Sequence, residues 1–560
     1  MVPPFVPFLI AALLVPALQG RARSVLVLVA PIVGALTLVG APEGVAWQLD
    51  MLGLTLEPVR VDRLSLIFGY IFHIAAFVGG IYAWHLRDSV QASAGLLYAG
   101  SAIGAVFAGD LLTLFVFWEV MAVSSVFLIW ARGTPEAIRS AQRYLVVQIT
   151  SGVLLLAGAL VHLEATGSIA FGHLGLDAPG GVLILLAFGI KCAFPGLHSW
   201  LTDAYPQATP TGTVFLSAFT TKAAVYTLAR GYAGTELLVW IGATMAFFPI
   251  FYAVIENDLR RVLGYSLINQ LGFMVTGIGI GTEMAVNGAA AHAFSHILYK
   301  ALLFMSMGAV LHMTGRINGS DLGGLYRSMP RTTVLCIVGA ASISAFPLFS
   351  GFISKPMVMT AALEQGYDWV WLVLLFASAG VFHHAGIKIP YFAFFAHDSG
   401  IRTTEPPVNM QIAMLVAATL CVGIGCFPEL LYAHLPFATD YSPYDASHVL
   451  AQLQLLLFSA LAFAWLTLSG LYPPELRSVN LDADWVYRRL GPRLVGSARE
   501  VIGTADAAVR SAAVGGLVRL GGWLARVYGP RAPAGAAWPT HRTVAITLVL
   551  LGGYILLQGG

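Results

Sequence analysis

The chain has 560 residues, 58% of them hydrophobic and only 10% charged, with a formal net charge of +2. This composition excludes an ordinary soluble domain and marks a polytopic membrane protein, while the small charge and the lack of long like-charge runs argue against a nucleic-acid partner. Cys192, Cys336, Cys421 and Cys426 all lie in apolar segments without paired or zinc-type spacing, so neither a cofactor nor a metal is expected.

Apolar runs of about 17 to 25 residues cross a bilayer. In chain order such runs lie near 2–19, 24–42, 63–84, 92–108, 110–131, 143–163, 180–203, 210–233, 236–256, 261–281, 285–313, 331–362, 369–396, 409–433, 447–471 and 542–558, about sixteen spans. The first has no basic flank and no clear cleavage site, so it is expected to be a retained span and not a signal peptide. With the N-terminus outside, the inside loops hold Arg21, Arg23, Arg87, Arg132, Arg139, Arg143, Arg260, Arg261, Arg316, Arg327, Arg331 and Arg402, followed by the stretch from Arg477 to Arg531. Only Arg60, Arg63 and Arg230 fall outside, as the positive-inside rule requires.

Two runs carry a proline at mid-span, "KCAFPGLHSWLTDAYP" around Pro195 and "SISAFPLFSGFISKP" around Pro347. Proline removes a backbone donor and breaks the helix, which lipid tolerates only where the freed groups face protein or water. Both are candidate discontinuous helices. The shared "AFP", five spans apart, points to two five-helix repeats, and an odd-numbered repeat has inverted topology. After the fifteenth span, Val486, Leu490, Leu494, Val501 and Val509 recur at helical spacing, with Arg488, Arg489, Arg493, Arg499 and Arg510 mostly opposite. This predicts an amphipathic segment along the membrane or a partner, or a plain helical linker, interrupted by Pro492.

Nearly all of the 25 arginines lie between spans, whereas the five lysines, Lys191, Lys222, Lys300, Lys355 and Lys388, all lie within them. A central lysine costs about 2.5 to 3.5 kcal/mol to insert, so function must retain them. Lysine can lose its proton when buried and arginine cannot, which suits a residue that passes protons on. Lys388, near the inner end of its span, is the one expected to snorkel. Glu119 supplies an intramembrane acid, and His292, His296 and Lys300, four residues apart, share a helix face that turns about 40° per step and rises about 12 Å. The two histidines lack a third metal ligand at supporting spacing. Asp203 is expected to cap or to bond a loop.

The runs "KCAFPGLHSWLTDAYPQATPTGTVFLSAFTTKAAVYTLAR", "DLRRVLGYSLINQLGFM", "HAFSHILYKALLF" and "SAFPLFSGFISKPM" resemble, in order and spacing over about residues 60–430, the antiporter-like membrane subunits shared by Mrp-type cation/proton antiporters, respiratory complex I and membrane-bound hydrogenases. "DLGGLYRSMPRT", "HHAGIKIPYFAFFAHDSG" and "LDADWVYRR" are most similar to the D-type subunit of the Mrp antiporters. The resemblance implies an all-α fold of about fourteen core helices with two inverted repeats. Residues 1–435 would be the core, with repeats near 92–233 and 236–396, and 436–560 an extension with a span, the amphipathic segment and a last span. It assigns Glu119 and Lys191 to a pair that switches between contact and separation, Lys222 to the eighth helix, His292, His296 and Lys300 to a central relay, and Lys355 to the end of the path. Lys388 matches no family position.

These implications make the chain a proton-translocating subunit of a monovalent cation/proton antiporter, multi-pass in a bacterial inner membrane. Its partners would be other membrane subunits and lipid, and it would move protons with Na+ or K+ as the candidate counter-ion. The alternative is the pump subunit of a complex I-like or hydrogenase redox complex whose cofactors sit in partners. An intramembrane transferase would need a long polar loop for substrate, and coupling to inorganic-carbon uptake would need a different partner.

Overall fold

The computed structural model describes residues 2–51, 53–478, 480–529 and 539–558. The chain divides into two compact units, one ending at Ala483 and one beginning at Asp484. The first opens with α1 (Val6–Leu14), α2 (Gly20–Leu36) and an antiparallel hairpin of β1 (Gly44–Met51) and β2 (Leu54–Val61). Then follow α3 (Arg63–Tyr82), α4 (Ser89–Phe107), α5 (Leu111–Trp130), α6 (Pro135–Thr166), α7 (Gly181–Lys191), α8 (Ser199–Ala204), α9 (Pro210–Ala218) and α10 (Thr220–Gly231). A second series holds α11 (Glu236–Phe247), α12 (Pro249–Ile255), α13 (Leu259–Ile280), α14 (Glu283–Thr314), α15 (Pro330–Ile343), α16 (Ser350–Glu364), α17 (Asp368–Val381) and α18 (Lys388–Pro390), the last set between two π-helical turns. The unit closes with α19 (Val408–Cys426), α20 (Glu429–Tyr432) and α21 (Ala446–Leu468).

Twelve helical segments among the described residues are long and apolar enough to cross a membrane. The expected spans fall on helices, but the first is shorter than predicted, ending in a 3-10 turn at Ala17. The hairpin was hidden in what reads as a loop between spans; β1 is exposed along its length, so it carries no buried alternation to announce it.

Helix starts follow from capping acids and hydroxyls. Asp62 accepts from the Ser65 N–H in a reciprocal capping box, Asp110 from Thr113, Asp258 from Arg260 and Arg261, and Thr134 and Thr282 from the third residue of the helices they open. These caps repeat. Asp110 and Asp258, Thr134 and Thr282, and the left-handed Gly167 and Gly315 that end α6 and α14 are separated by one constant interval. Asp110 and Asp258 also make matching isolated bridges, to Ala170 and Asn318. Helices α6 and α14 each have 32 residues, and at equal distance from their threonine caps one presents Tyr144, Gln148 and Gly152 and the other His292, His296 and Lys300.

The two expected breaks have one geometry. In the first, Ala193 takes φ 63°, its N–H bonds the Ile190 carbonyl, and the Phe194 N–H reaches back to Gly189. In the second, Ala345 takes φ 57°, bonds Ser342, and Phe346 reaches Ala341. Each is a Schellman end with alanine where glycine is usual, followed by Pro195 or Pro347, which cannot continue the helix.

In the second unit a π turn (Val486–Leu490) leads into α22 (Gly491–Tyr528), and α23 covers Thr540–Gln558. Contrary to expectation, Pro492 does not interrupt α22. It sits in the first turn, where its missing N–H has no carbonyl to meet. Arg510 pairs with Asp506 at 2.8 Å along this otherwise exposed helix. Arg531 lies outside the described residues.

Candidate functional site

Three of the buried lysines bond backbone carbonyls, Lys222 and Lys355 near helix ends and Lys191 on the flank of the unbroken α5. Lys191, the last residue of α7, donates from Nζ to the Trp118 carbonyl at 2.6 Å and lies 4.4 Å from the centre of that indole. The indole is locked in turn: Trp118 Nε1 donates to Ser151 Oγ at 2.9 Å, and Ser151 donates to the Ala187 carbonyl at 2.7 Å. Lys222 donates to the Ser217 carbonyl at 2.6 Å, exposed by the kink between α9 and α10. Lys355 donates to the carbonyl of Ile343, the last residue of α15, at 3.1 Å.

Glu119 is half-buried on α5 beside Trp118, with Oε1 buried and without a hydrogen-bonding partner in the protein. Its carboxylate is an electrostatic neighbour of Lys191, whose ammonium is bonded to the Trp118 carbonyl. A Cβ on Gly152 would overlap the Glu119 carboxylate, so this glycine of α6 makes the acid's seat. Glu119 also lines a groove of about 570 Å³ with Pro16, Ser93, Val123 and Phe127.

On α14, His292, His296 and Lys300 are fully buried. His292 Nδ1 lies 3.1 Å from Ser354 Oγ, next to Lys355 in sequence, and Nε2 lies 3.4 Å from the Tyr299 hydroxyl. Tyr299 donates to Gln270 at 3.1 Å. The His292 and His296 rings are 6.2 Å apart. Both nitrogens of His296 and the Lys300 ammonium have no protein partner, and buried polar groups of this kind are satisfied by ordered water. The structure thus brings Lys222, His292, His296, Lys300 and Lys355 within electrostatic reach of one another, and Glu119 and Lys191 into a second group.

Two expectations need correction. Lys388 does not snorkel: it is fully buried and donates to the carbonyls of Ala253, Val254 and Glu256, at 3.3, 2.6 and 2.7 Å, which the end of α12 leaves unbonded. Glu475 faces it at 2.9 Å. Asp203, expected to cap or to bond a loop, instead takes a two-pronged contact from Arg143, at 2.8 and 3.0 Å. Sequence reading also missed Gly152, Ser151 and His198. His198 stood in the quoted broken-helix run, and its partner Asp482 in "LDADWVYRR", but nothing in either stretch links them.

Inverted repeats, paired helix breaks and buried lysines bonded to backbone carbonyls define a polytopic subunit of the ion-translocating class. Residues 108–382 match the family described as NADH:quinone oxidoreductase/Mrp antiporter, TM. The chain is 30% identical over 358 residues to the D-type subunit of the Na(+)/H(+) antiporter of Alkalihalophilus pseudofirmus, covering 59% of this chain and 71% of that one. It is 29% identical to the N-type subunit of the NADH-quinone oxidoreductase of Desulforudis audaxviator, covering 70% of this chain and 84% of the relative. A solved chain of the Mrp complex from Dietzia sp. DQ12-45-1b shares the fold, with a TM-score of 0.75 and 24% identity over 92% of this chain and 62% of that one. The chain belongs to the NADH:quinone oxidoreductase/Mrp antiporter transmembrane family.

Proposed function

We propose that the chain is the proton-translocating subunit of a multisubunit monovalent cation/proton antiporter in the bacterial inner membrane, working with other membrane subunits. The observation that carries this reading is the set of buried ionisable side chains, Lys191, Lys222, His292, His296, Lys300 and Lys355, with the half-buried Glu119, in a chain that carries two like-built helix breaks. Protons pass along it as each lysine takes and releases one, and the carbonyl beneath Lys191, Lys222 and Lys355 gives the charged form a fixed position. Similarity to the D-type antiporter relative supports the exchange of a monovalent cation for the proton.

The test is cation-driven proton movement in inverted vesicles that carry the tagged complex. Addition of Na+ or K+ should collapse an established pH gradient with the wild-type chain and not with Lys191→Ala, the complex remaining assembled. A complex that co-purifies with iron-sulfur proteins and moves protons only on electron transfer would replace this reading with the pump module of a redox machine, a possibility kept open by the similarity to the NADH-quinone oxidoreductase relative.

A further inference from the structure

After α21 the chain turns back along the side that the arginine-rich loops assign to the cytoplasm, and Tyr472, Glu475, Arg477, Asn480 and Asp482 fasten it as a strap. The Tyr472 ring packs 5.6 Å from His383 and 5.2 Å from Phe463. Glu475 pairs with Lys388 at 2.9 Å, Arg477 donates to Asp321 at 2.5 Å, and Asn480 donates to Glu256 at 3.2 Å. Asp482 is the last of these anchors and the deepest in its effect. Its carboxylate lies 3.1 and 3.2 Å from His198 Nε2 and accepts from the Tyr265 hydroxyl at 2.7 Å.

His198 belongs to the segment that joins α7 to α8, between Lys191 and the Arg143–Asp203 pair. Its side chain is 3% exposed and that of Asp482 6%, and the His198 ring packs 4.7 Å from Phe248. Nδ1 is buried and has no partner in the protein. A ring held by a carboxylate at one nitrogen, with the other nitrogen uncommitted, is arranged to carry a proton.

We propose that His198 exchanges protons between the arginine-rich side and the broken helix that ends at Lys191, with Asp482 as the positioning residue that fixes its ring. The inference rests on the proton-transport reading above. The neutral imidazole takes one proton at Nδ1, the imidazolium donates from Nε2 to Asp482, and the same proton leaves from Nδ1, so nothing else changes charge. Burial alone would raise the Asp482 carboxyl, but the hydrogen bonds from His198, Tyr265 and the Ala483 N–H and the charge of His198 outweigh it and hold the group below the usual carboxylate range. The other charged or titratable groups around it are Tyr265, Arg261 and Glu256, with Asp203 and its partner Arg143 beyond.

The experiment compares wild type, Asp482→Asn, Asp482→Glu and Arg477→Ala, each in the intact complex in vesicles. Asp482→Asn keeps the shape and removes the charge; it should move the pH profile of proton transport about one unit toward acid. Asp482→Glu should recover most of that shift, and Arg477→Ala, which loosens only a surface anchor of the strap, should leave the profile in place. A profile unmoved by Asp482→Asn, or moved equally by Arg477→Ala, overturns the proposal. If wild-type vesicles move no protons on a Na+ or K+ gradient, the transport reading has failed, and the dyad is decided by labelling His198 with diethyl pyrocarbonate in the intact complex. Labelling several-fold faster in Asp482→Asn alone is the expected result, and equal labelling in all four chains overturns it.

Discussion

Glu119 and Lys388 are both ionisable side chains on membrane-spanning segments, and their surroundings give them opposite tasks. Glu119 has room, because Gly152 lends it the volume of a side chain, and its Oε1 is uncommitted. Gly152→Ala should force the carboxylate aside and lower proton transport about tenfold while the complex still assembles, since misplacing a transferring group by about 1 Å costs up to a hundredfold. The same vesicle assay, with subunit stoichiometry measured in parallel, checks this. Lys388 has no freedom, its three donors being spent on the end of α12. Lys388→Met would leave those carbonyls and Glu475 buried without a partner, at a cost of about 3 to 5 kcal/mol. The variant should lose folded complex on mild heating in detergent, whereas Lys191→Met, which abandons one carbonyl, should not.

At the scale of elements, the breaks depend on alanines in a conformation that favours glycine. Ala193 and Ala345 lie in the left-handed region, which costs an L-residue about 1 to 2 kcal/mol and a β-branched one more. Ala345→Val should lower stability by at least about 1 kcal/mol and Ala345→Gly should be tolerated, as thermal aggregation of the purified complex would report. The proline after each break was legible in the sequence, and so was the repeat, because "AFP" recurs in matching backbone. The alanine's own conformation was not, since alanine signals no turn. Hairpin β1–β2 escaped because β1 is exposed along its length and β2 buries residues without regular alternation, and Gly152 because a glycine in a long apolar helix does not reveal which neighbour it faces. Contacts set by tertiary return, such as His198 with Asp482 across 284 residues, leave no local trace at all.

For the whole molecule, the side opposite the strap is closed by another ion pair. Arg230, in the last turn of α10, reaches Asp62 at 2.6 Å, joining the start of α3 to the end of the first repeat. Burial alone would raise the Asp62 carboxyl, but the Arg230 charge and the Ser65 N–H hold it below the usual range. A carboxyl depressed in the folded state stabilises above its unfolded titration and loses that contribution as pH falls through its folded one. Asp62→Asn should therefore flatten the acid limb of melting temperature against pH below about pH 4, and leave the neutral region lower throughout. The lysine seats carry a different consequence. Of the five lysines only Lys388 lies within ion-pair distance of a carboxylate among the described residues, while Lys191, Lys222 and Lys355 rest on carbonyls, which do not titrate. Glu119 stands near Lys191, but a proton arriving on Lys222 or Lys355 is not cancelled by a local carboxylate. Its field reaches the next: two unit charges about 10 Å apart at an effective dielectric of about 20 repel by about 1.7 kcal/mol, more than a tenfold change in occupancy. Neighbouring lysines thus discourage one another from being charged together, and a row of neutral seats turns independent bases into a queue.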